Sequence, residues 1–191
     1  MEFREEYKVK FITIGYIEWR KGQDILLEAI EELPSDVAEA SEFIIVGQKT
    51  SAMAQKLYER IKLLPNVLMP GTVSRAEVHD LLNEADLLIC PSREDPMPTV
   101  CAEAMMHKVP CIVSKATGTA AYIREGIDGI VFETGNVLEL KEKIIWCVRN
   151  SDKLKSMGES AYKIYEEIFS AEAFEHNLLK YVEKMIGKAG N

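Results

Sequence analysis

The sequence predicts an α/β protein built on a doubly wound parallel sheet of about six strands with helices on both faces. Three observations predict it. Short apolar segments alternate along the chain with longer segments of helical periodicity. The short segments are apolar at consecutive positions, as strands covered on both faces are. The chain has 191 residues, 47% of them hydrophobic and 28% charged, enough for one full core.

Val9 to Gly15 (VKFITIG) is rich in β-branched and aromatic residues and stops at glycine, which marks a buried strand. From Lys21 to Leu33 the apolar positions Ile25, Leu26, Ala29, Ile30 and Leu33 recur at helical spacing, and Pro34 ends the run. Phe43 to Gly47 is the next strand, and Met53 to Leu64 the next amphipathic helix. Asn66 to Met69 is a short strand, and Ser74 to Ala85 a helix opened by a capping box of Ser74 and Glu77. Asp86 to Cys90 is a strand, Pro98 to His107 a helix, and Pro110 to Ser114 and Gly129 to Phe132 are the last strands. Helices close the chain. Leu154, Met157, Ala161, Ile164, Tyr165 and Ile168 trace one face of one of them; Phe174, Leu178, Tyr181, Val182 and Met185 trace one face of the last, a stripe that either meets a partner or covers the sheet. No repeat, linker or low-complexity tract interrupts the chain, so residues 1–191 read as a single domain.

Composition narrows the function classes. A net charge of -8 argues against a broad basic surface for nucleic acid or anionic lipid, so any phosphate site is local. No apolar run approaches the roughly 18 residues that span a bilayer, and the start lacks a signal-peptide core, so a cytoplasmic location is expected. Cys90, Cys101, Cys111 and Cys147 lie scattered in apolar surroundings without a paired spacing, which predicts free core thiols and no metal site.

In a doubly wound sheet ligands sit at the carboxyl ends of the strands. Loops there read GYIEWRKG (15–22), GQKTS (47–51) and SREDPMPT (92–99). The first brings Arg20 and Lys21 to a helix start, where unpaired N–H groups already favour an anion, although a Lys-Gly pair there is also ordinary solvated surface. It matches neither GxxxxGK[ST] nor GxGxxG. In the third, Pro98 suits the first helical position and Met97 before it is no cap, which leaves the N–H groups of Thr99 and Val100 open to an anion. Asp95 precedes this helix and Glu103 stands on its second turn; acids there also complement the helix dipole. His107 and Lys108 at the helix end suit the dipole in the same structural way. Trp19 either stacks on a ligand or packs on its own domain.

Taken in order, the blocks FITIGYIEWRKGQDILLEAI, FIIVGQ, NVLMPGTVSRAEVHDLLNEADLLICPS, EDPMPTVCAEAM, VPCIVSKATG and GIDGIVFETGN resemble the carboxyl-terminal, donor-binding half of the family 4, or group 1, retaining glycosyltransferases of GT-B fold, from about residue 9 to residue 186. The form SREDPMPTV is similar to members that build bacterial surface polysaccharides. The resemblance implies a nucleoside diphosphate sugar as donor and transfer to a hydroxyl with retention. It implies no metal or other cofactor, while the net charge argues against a nucleic-acid partner. It also implies that the acceptor-binding amino-terminal half is missing, and allows peripheral membrane association through the full-length enzyme. The family's E-x7-E acids map to Asp95, toward the transferred sugar, and Glu103, toward the ribose hydroxyls, where ionised carboxylates accept hydrogen bonds strongly. Lys21 and Asp95 map to the catalytic positions. Donor contacts map to Gly15, Tyr16, Arg20, Lys21, Gly47, Asp95, Met97, Pro98, Thr99, Val100, Glu103 and Gly118.

The chain departs from the pattern at several of these positions. Asp95 is one methylene shorter than the usual Glu. The glycine-rich link between the acids is replaced by Pro96-Met97-Pro98, which removes backbone donors. Tyr16 stands where the family has Arg, leaving Arg20 and Arg93 as the candidates to compensate. Thr117 to Ala121 replace a Gly-Gly-x-Pro-Glu pattern. A non-catalytic nucleotide-binding or regulatory module of the same fold is the alternative reading.

Overall fold

The computed structural model describes residues 7–189. Six strands form one parallel sheet: β1 (Val9–Ile14), β2 (Ser41–Val46), β3 (Val67–Gly71), β4 (Leu87–Cys90), β5 (Cys111–Ser114) and β6 (Gly129–Phe132), in the order β3-β2-β1-β4-β5-β6. Strand order therefore reverses between β1 and β4, the place where doubly wound sheets open a crevice at their carboxyl ends.

The core explains the consecutive apolar positions. On β1, Phe11 joins one layer with Leu26, Ile30, Phe43, Leu57, Leu140 and Ile144, while its neighbour Ile12 joins the other with Leu82, Leu88, Met105, Val113 and Ala161. The first layer is covered by α1 (Gln23–Glu31), α3 (Ala52–Ile61) and α6 (Val137–Arg149); the second by α4 (Arg75–Glu84), α5 (Thr99–Met106) and α7 (Ser151–Ile164). Because side chains alternate across a strand, a strand that feeds both layers is apolar at consecutive positions, as Phe11 and Ile12 are.

Some elements differ from the pattern reading. Lys21 does not open the first helix; it ends a 3-10 turn, Trp19–Lys21, and α1 begins at Gln23. Gly22 separates them at φ 71°, in the left-handed region, and a Cβ there would stand 2.0 Å from the Pro91 carbonyl oxygen. A short helix, α2 (Ser35–Glu39), follows Pro34 with Val37 as its one buried side chain, too brief to show a period. The third strand runs on through Pro70 to Gly71, which an edge strand tolerates because it needs no donor on its outer side. Pro98 is the residue before α5 rather than its first member, with φ -68° and ψ 109°.

After α7 a π turn, Tyr165–Phe169, redirects the chain into α8 (Ala171–Ala189). The turn rotates Ile168 out of the expected buried stripe and leaves it exposed. Phe174, Leu178, Leu179 and Val182 of α8 are likewise exposed, and α8 contacts chiefly the π turn rather than the sheet. The side chains of Tyr181 and Met185 lie outside the described residues. Among the described residues no helix is long and apolar enough to cross a membrane.

Candidate functional site

The loops after β1 and β4 are clasped together at the reversal of strand order. Arg93 donates to both Asp24 carboxylate oxygens, at 2.8 and 2.7 Å, and to the Trp19 carbonyl at 2.7 Å, while its guanidinium lies 4.8 Å over the Trp19 ring. The Arg93 backbone N–H donates to the Arg20 carbonyl at 2.7 Å. Burial works to raise the Asp24 carboxyl, but the hydrogen bonds and charge of Arg93 outweigh it and hold the group below its ordinary range. This clasp fixes the 3-10 turn that carries Lys21.

Lys21 Nζ then meets Asp95 Oδ2 at 2.6 Å, with side chains 21% and 8% exposed. Asp95 is itself tied to the loop after β5. Its N–H donates to the Ala116 carbonyl at 3.2 Å, and its carbonyl accepts from the Gly118 N–H at 3.0 Å. A Cβ on Gly118 would stand 1.8 Å from the Pro96 carbonyl oxygen, so only glycine lets the two loops approach. Ser114 Oγ adds a bond to the Ser92 carbonyl.

Beyond Pro98 no side chain caps α5, and Cys101 donates the first backbone bond, to the Pro98 carbonyl at 3.0 Å. The N–H groups of Thr99 and Val100 have no acceptor among the described residues, the state that makes a helix start receptive to an anion. Glu103 stands one turn further on, half-buried, and its carboxylate enters no ion pair among the described residues.

On the β2 side the ends of β1, β2 and β3 enclose a mainly apolar cleft of about 240 Å³, lined by Ile14, Gly15, Tyr16, Val46, Gly47, Gln48, Thr72, Val73 and Val78. Tyr16 is 67% exposed at its mouth, and its carbonyl accepts from Gln23 Nε2 at 2.8 Å.

The expected residues thus fall into groups. Lys21, Asp95 and Gly118 meet directly; Pro98, Thr99, Val100 and Glu103 share the start of α5; Gly15, Tyr16 and Gly47 border the cleft. Met97 is exposed beside Gly118. Arg20 and Arg93 do not replace the missing arginine as free cations. Arg20 pairs with Glu18 at 3.0 Å and donates to the Glu94 carbonyl at 3.3 Å, and Arg93 is held by Asp24. Sequence reasoning missed Asp24, whose partner is 69 residues away, and Gln23, 1% exposed with its Oε1 lacking a partner among the described residues. Of the cleft-wall residues, Gln48 belongs to the GQKTS loop already marked as a strand end, whereas Thr72 and Val73 carried no chemical signal.

Away from this edge, the four cysteines are free and buried. His79 Nδ1 lies 2.8 Å from His107 Nε2, and His107 Nδ1 lies 2.7 Å from Asn83 Oδ1.

Comparison with known proteins follows the same lines. An uncharacterized glycosyltransferase of Methanocaldococcus jannaschii is 27% identical over 180 residues, covering 91% of this chain and 48% of that protein. The lipopolysaccharide glucosyltransferase WaaG of Escherichia coli is 28% identical over 127 residues, covering 66% of this chain and 33% of WaaG. The crystal structure of Anabaena HepE in complex with UDP superposes with a TM-score of 0.80 at 23% identity, over 93% of this chain and 49% of that one. The chain therefore spans from a third to about half the length of these relatives. Residues 2–164 match the family described as glycosyl transferases group 1, with the GT-B type of parallel sheet, and the chain belongs to that family.

Proposed function

We propose that this chain is the donor-binding domain of a retaining glycosyltransferase, which takes a nucleoside diphosphate sugar and passes the sugar to a hydroxyl of a surface polysaccharide acceptor. The observation that carries this reading is the convergence of a lysine, an uncapped helix start and an acid at the reversal of strand order. Lys21 and the N–H groups of Thr99 and Val100 supply the positive potential for the diphosphate. Glu103 supplies an acceptor for ribose hydroxyls, and the apolar cleft by Tyr16 takes the base. HepE in complex with UDP and with UDP-glucose supports this choice of ligand class.

In the reaction the bond between the anomeric carbon and the diphosphate oxygen breaks, the acceptor hydroxyl oxygen bonds the same carbon on the same face, and the hydroxyl proton passes to the departing diphosphate oxygen. Negative charge grows on the departing diphosphate. The Lys21 ammonium and the start of α5 stabilise that charge from fixed positions, a form of catalysis that needs no reorganisation during the step. Acceptor binding belongs to residues beyond this chain, since it spans about half of its relatives. The 191-residue chain is accordingly expected to bind donor without appreciable transfer. Robust transfer by this chain alone would refute that division.

One observation favours the second reading, a nucleotide-binding module without catalysis: Lys21 is already neutralised by Asp95, and neither Arg20 nor Arg93 offers a free second cation. A thermal-shift screen against UDP, GDP, dTDP and ADP sugars tests the ligand class both readings share. A true ligand at a hundred times its Kd adds about 2.7 kcal/mol of stability. No shift with any of them would remove both readings.

A further inference from the structure

Asp95 has two candidate tasks in a donor site, to touch the transferred sugar or to hold Lys21, and the geometry separates them. Its carboxylate is 2.6 Å from the ammonium and its side chain is 8% exposed, against 21% for Lys21. The backbone on either side is pinned: the N–H donates to Ala116, the carbonyl accepts from Gly118, and the residue forms an isolated parallel bridge with Thr117. Gly118 in turn cannot retreat toward the Pro96 carbonyl, since even a Cβ would not fit there. Turning this carboxylate toward a sugar would break its bond to the ammonium and leave a largely buried cation unpaired. The ammonium is the more accessible partner. It has three N–H donors, and a single bond to Asp95 leaves two for phosphate oxygens.

We propose that Asp95 is a positioning residue that fixes the Lys21 ammonium for the diphosphate and makes no contact with the sugar; this rests on the donor-site reading above. A lysine stem has four rotatable carbons, and ordering such a side chain at the moment of binding costs affinity that a preformed ion pair avoids. Asp95 thus acts equally on nucleotide and nucleotide sugar, whereas a sugar contact would act on the second alone.

Calorimetric titration separates the cases. UDP, GDP, dTDP and ADP, each with its glucose conjugate, are titrated into the wild-type chain, and the tightest pair is carried into Asp95→Asn, Asp95→Glu, Lys21→Met and the Lys21→Met/Asp95→Asn double variant. Asp95→Asn is expected to weaken diphosphate and conjugate by the same factor, roughly two- to tenfold. Asp95→Glu, which keeps the charge, should recover most of that loss, and the double variant should bind no more weakly than Lys21→Met alone. Loss confined to the conjugate, or tighter diphosphate binding by Asp95→Asn, overturns the proposal while leaving the donor site standing. Wild-type binding to none of the eight ligands, about the whole common nucleotide set, would overturn the donor-site reading itself. If Asp95→Asn does not fold, the double variant, in which no charge is left buried alone, carries the same comparison: an unchanged ratio of the two affinities supports positioning, and a collapsed ratio refutes it.

Discussion

At the residue scale, Glu103 on α5 and His107, which caps the end of that helix, make opposite kinds of statement. Glu103 has no ion-pair partner among the described residues, so its removal should disturb little of the fold and tests the proposed contact with the ribose. Glu103→Ala is expected to weaken nucleoside diphosphate binding by about ten- to a hundredfold, the worth of charge-assisted hydrogen bonds, with the melting temperature nearly unchanged. His107 is held below its ordinary pKa by burial and by His79, while Glu103 pulls the other way. The folded state therefore takes up its proton less readily than the unfolded chain. The contribution is fully present above about 6.5, the ordinary histidine value, and is lost as pH falls through the lower folded value. His107→Gln should flatten the fall in stability between about pH 7 and 5; an unchanged slope in urea titrations would count against the pairing with His79. Lys21 and Asp95 were legible singly, as residues of strand-end loops, and Glu103 as an acid on an early helix turn; the resemblance joined the two acids as a pair. The Arg93–Asp24 bridge was unreadable, because nothing local links residues 69 positions apart, and Arg93 was left looking like a free cation.

At the element scale, what was legible followed from period and caps. The capping box of Ser74 and Glu77 forms, with Ser74 Oγ accepting from the Glu77 N–H at 3.2 Å. Ser74→Ala is expected to cost about 1 kcal/mol by chemical denaturation. The first helix was misplaced by two residues because Lys21 belongs to the preceding 3-10 turn, and only the left-handed Gly22 divides the two. Gly22→Ala meets both an unfavourable φ and the Pro91 carbonyl, so it should destabilise by more than the roughly 1 kcal/mol of the backbone effect alone. It should also displace Lys21 and weaken nucleotide binding. A Gly22→Ala chain of wild-type stability would contradict this account of the turn. The five-residue α2 and the π turn lie below what periodicity can resolve, and the π turn is why Ile168 faces outward.

At the scale of the whole molecule, the parallel sheet was readable because both layers demand apolar residues at consecutive strand positions, as Phe11 and Ile12 show. Strand order was not, since nothing in any one strand says which neighbours it takes. The same burial governs the thiols: Cys147 is pushed up to about 12 by desolvation, and Cys90 and Cys101 are raised by hydrogen bonding among the cysteine thiols and by burial. The four cysteines should therefore react with a thiol reagent only as fast as the chain unfolds. The reversal between β1 and β4 brings Lys21, the open start of α5 and Glu103 to one edge, and the account stands on that edge binding a nucleoside diphosphate. The most direct test is calorimetric titration of UDP, GDP, dTDP and ADP into the wild-type, Lys21→Met and Glu103→Ala chains. The account predicts saturable binding of at least one of them, weakened about tenfold or more by each substitution. Binding that is indifferent to both substitutions, or absent for all four nucleotides, would contradict it.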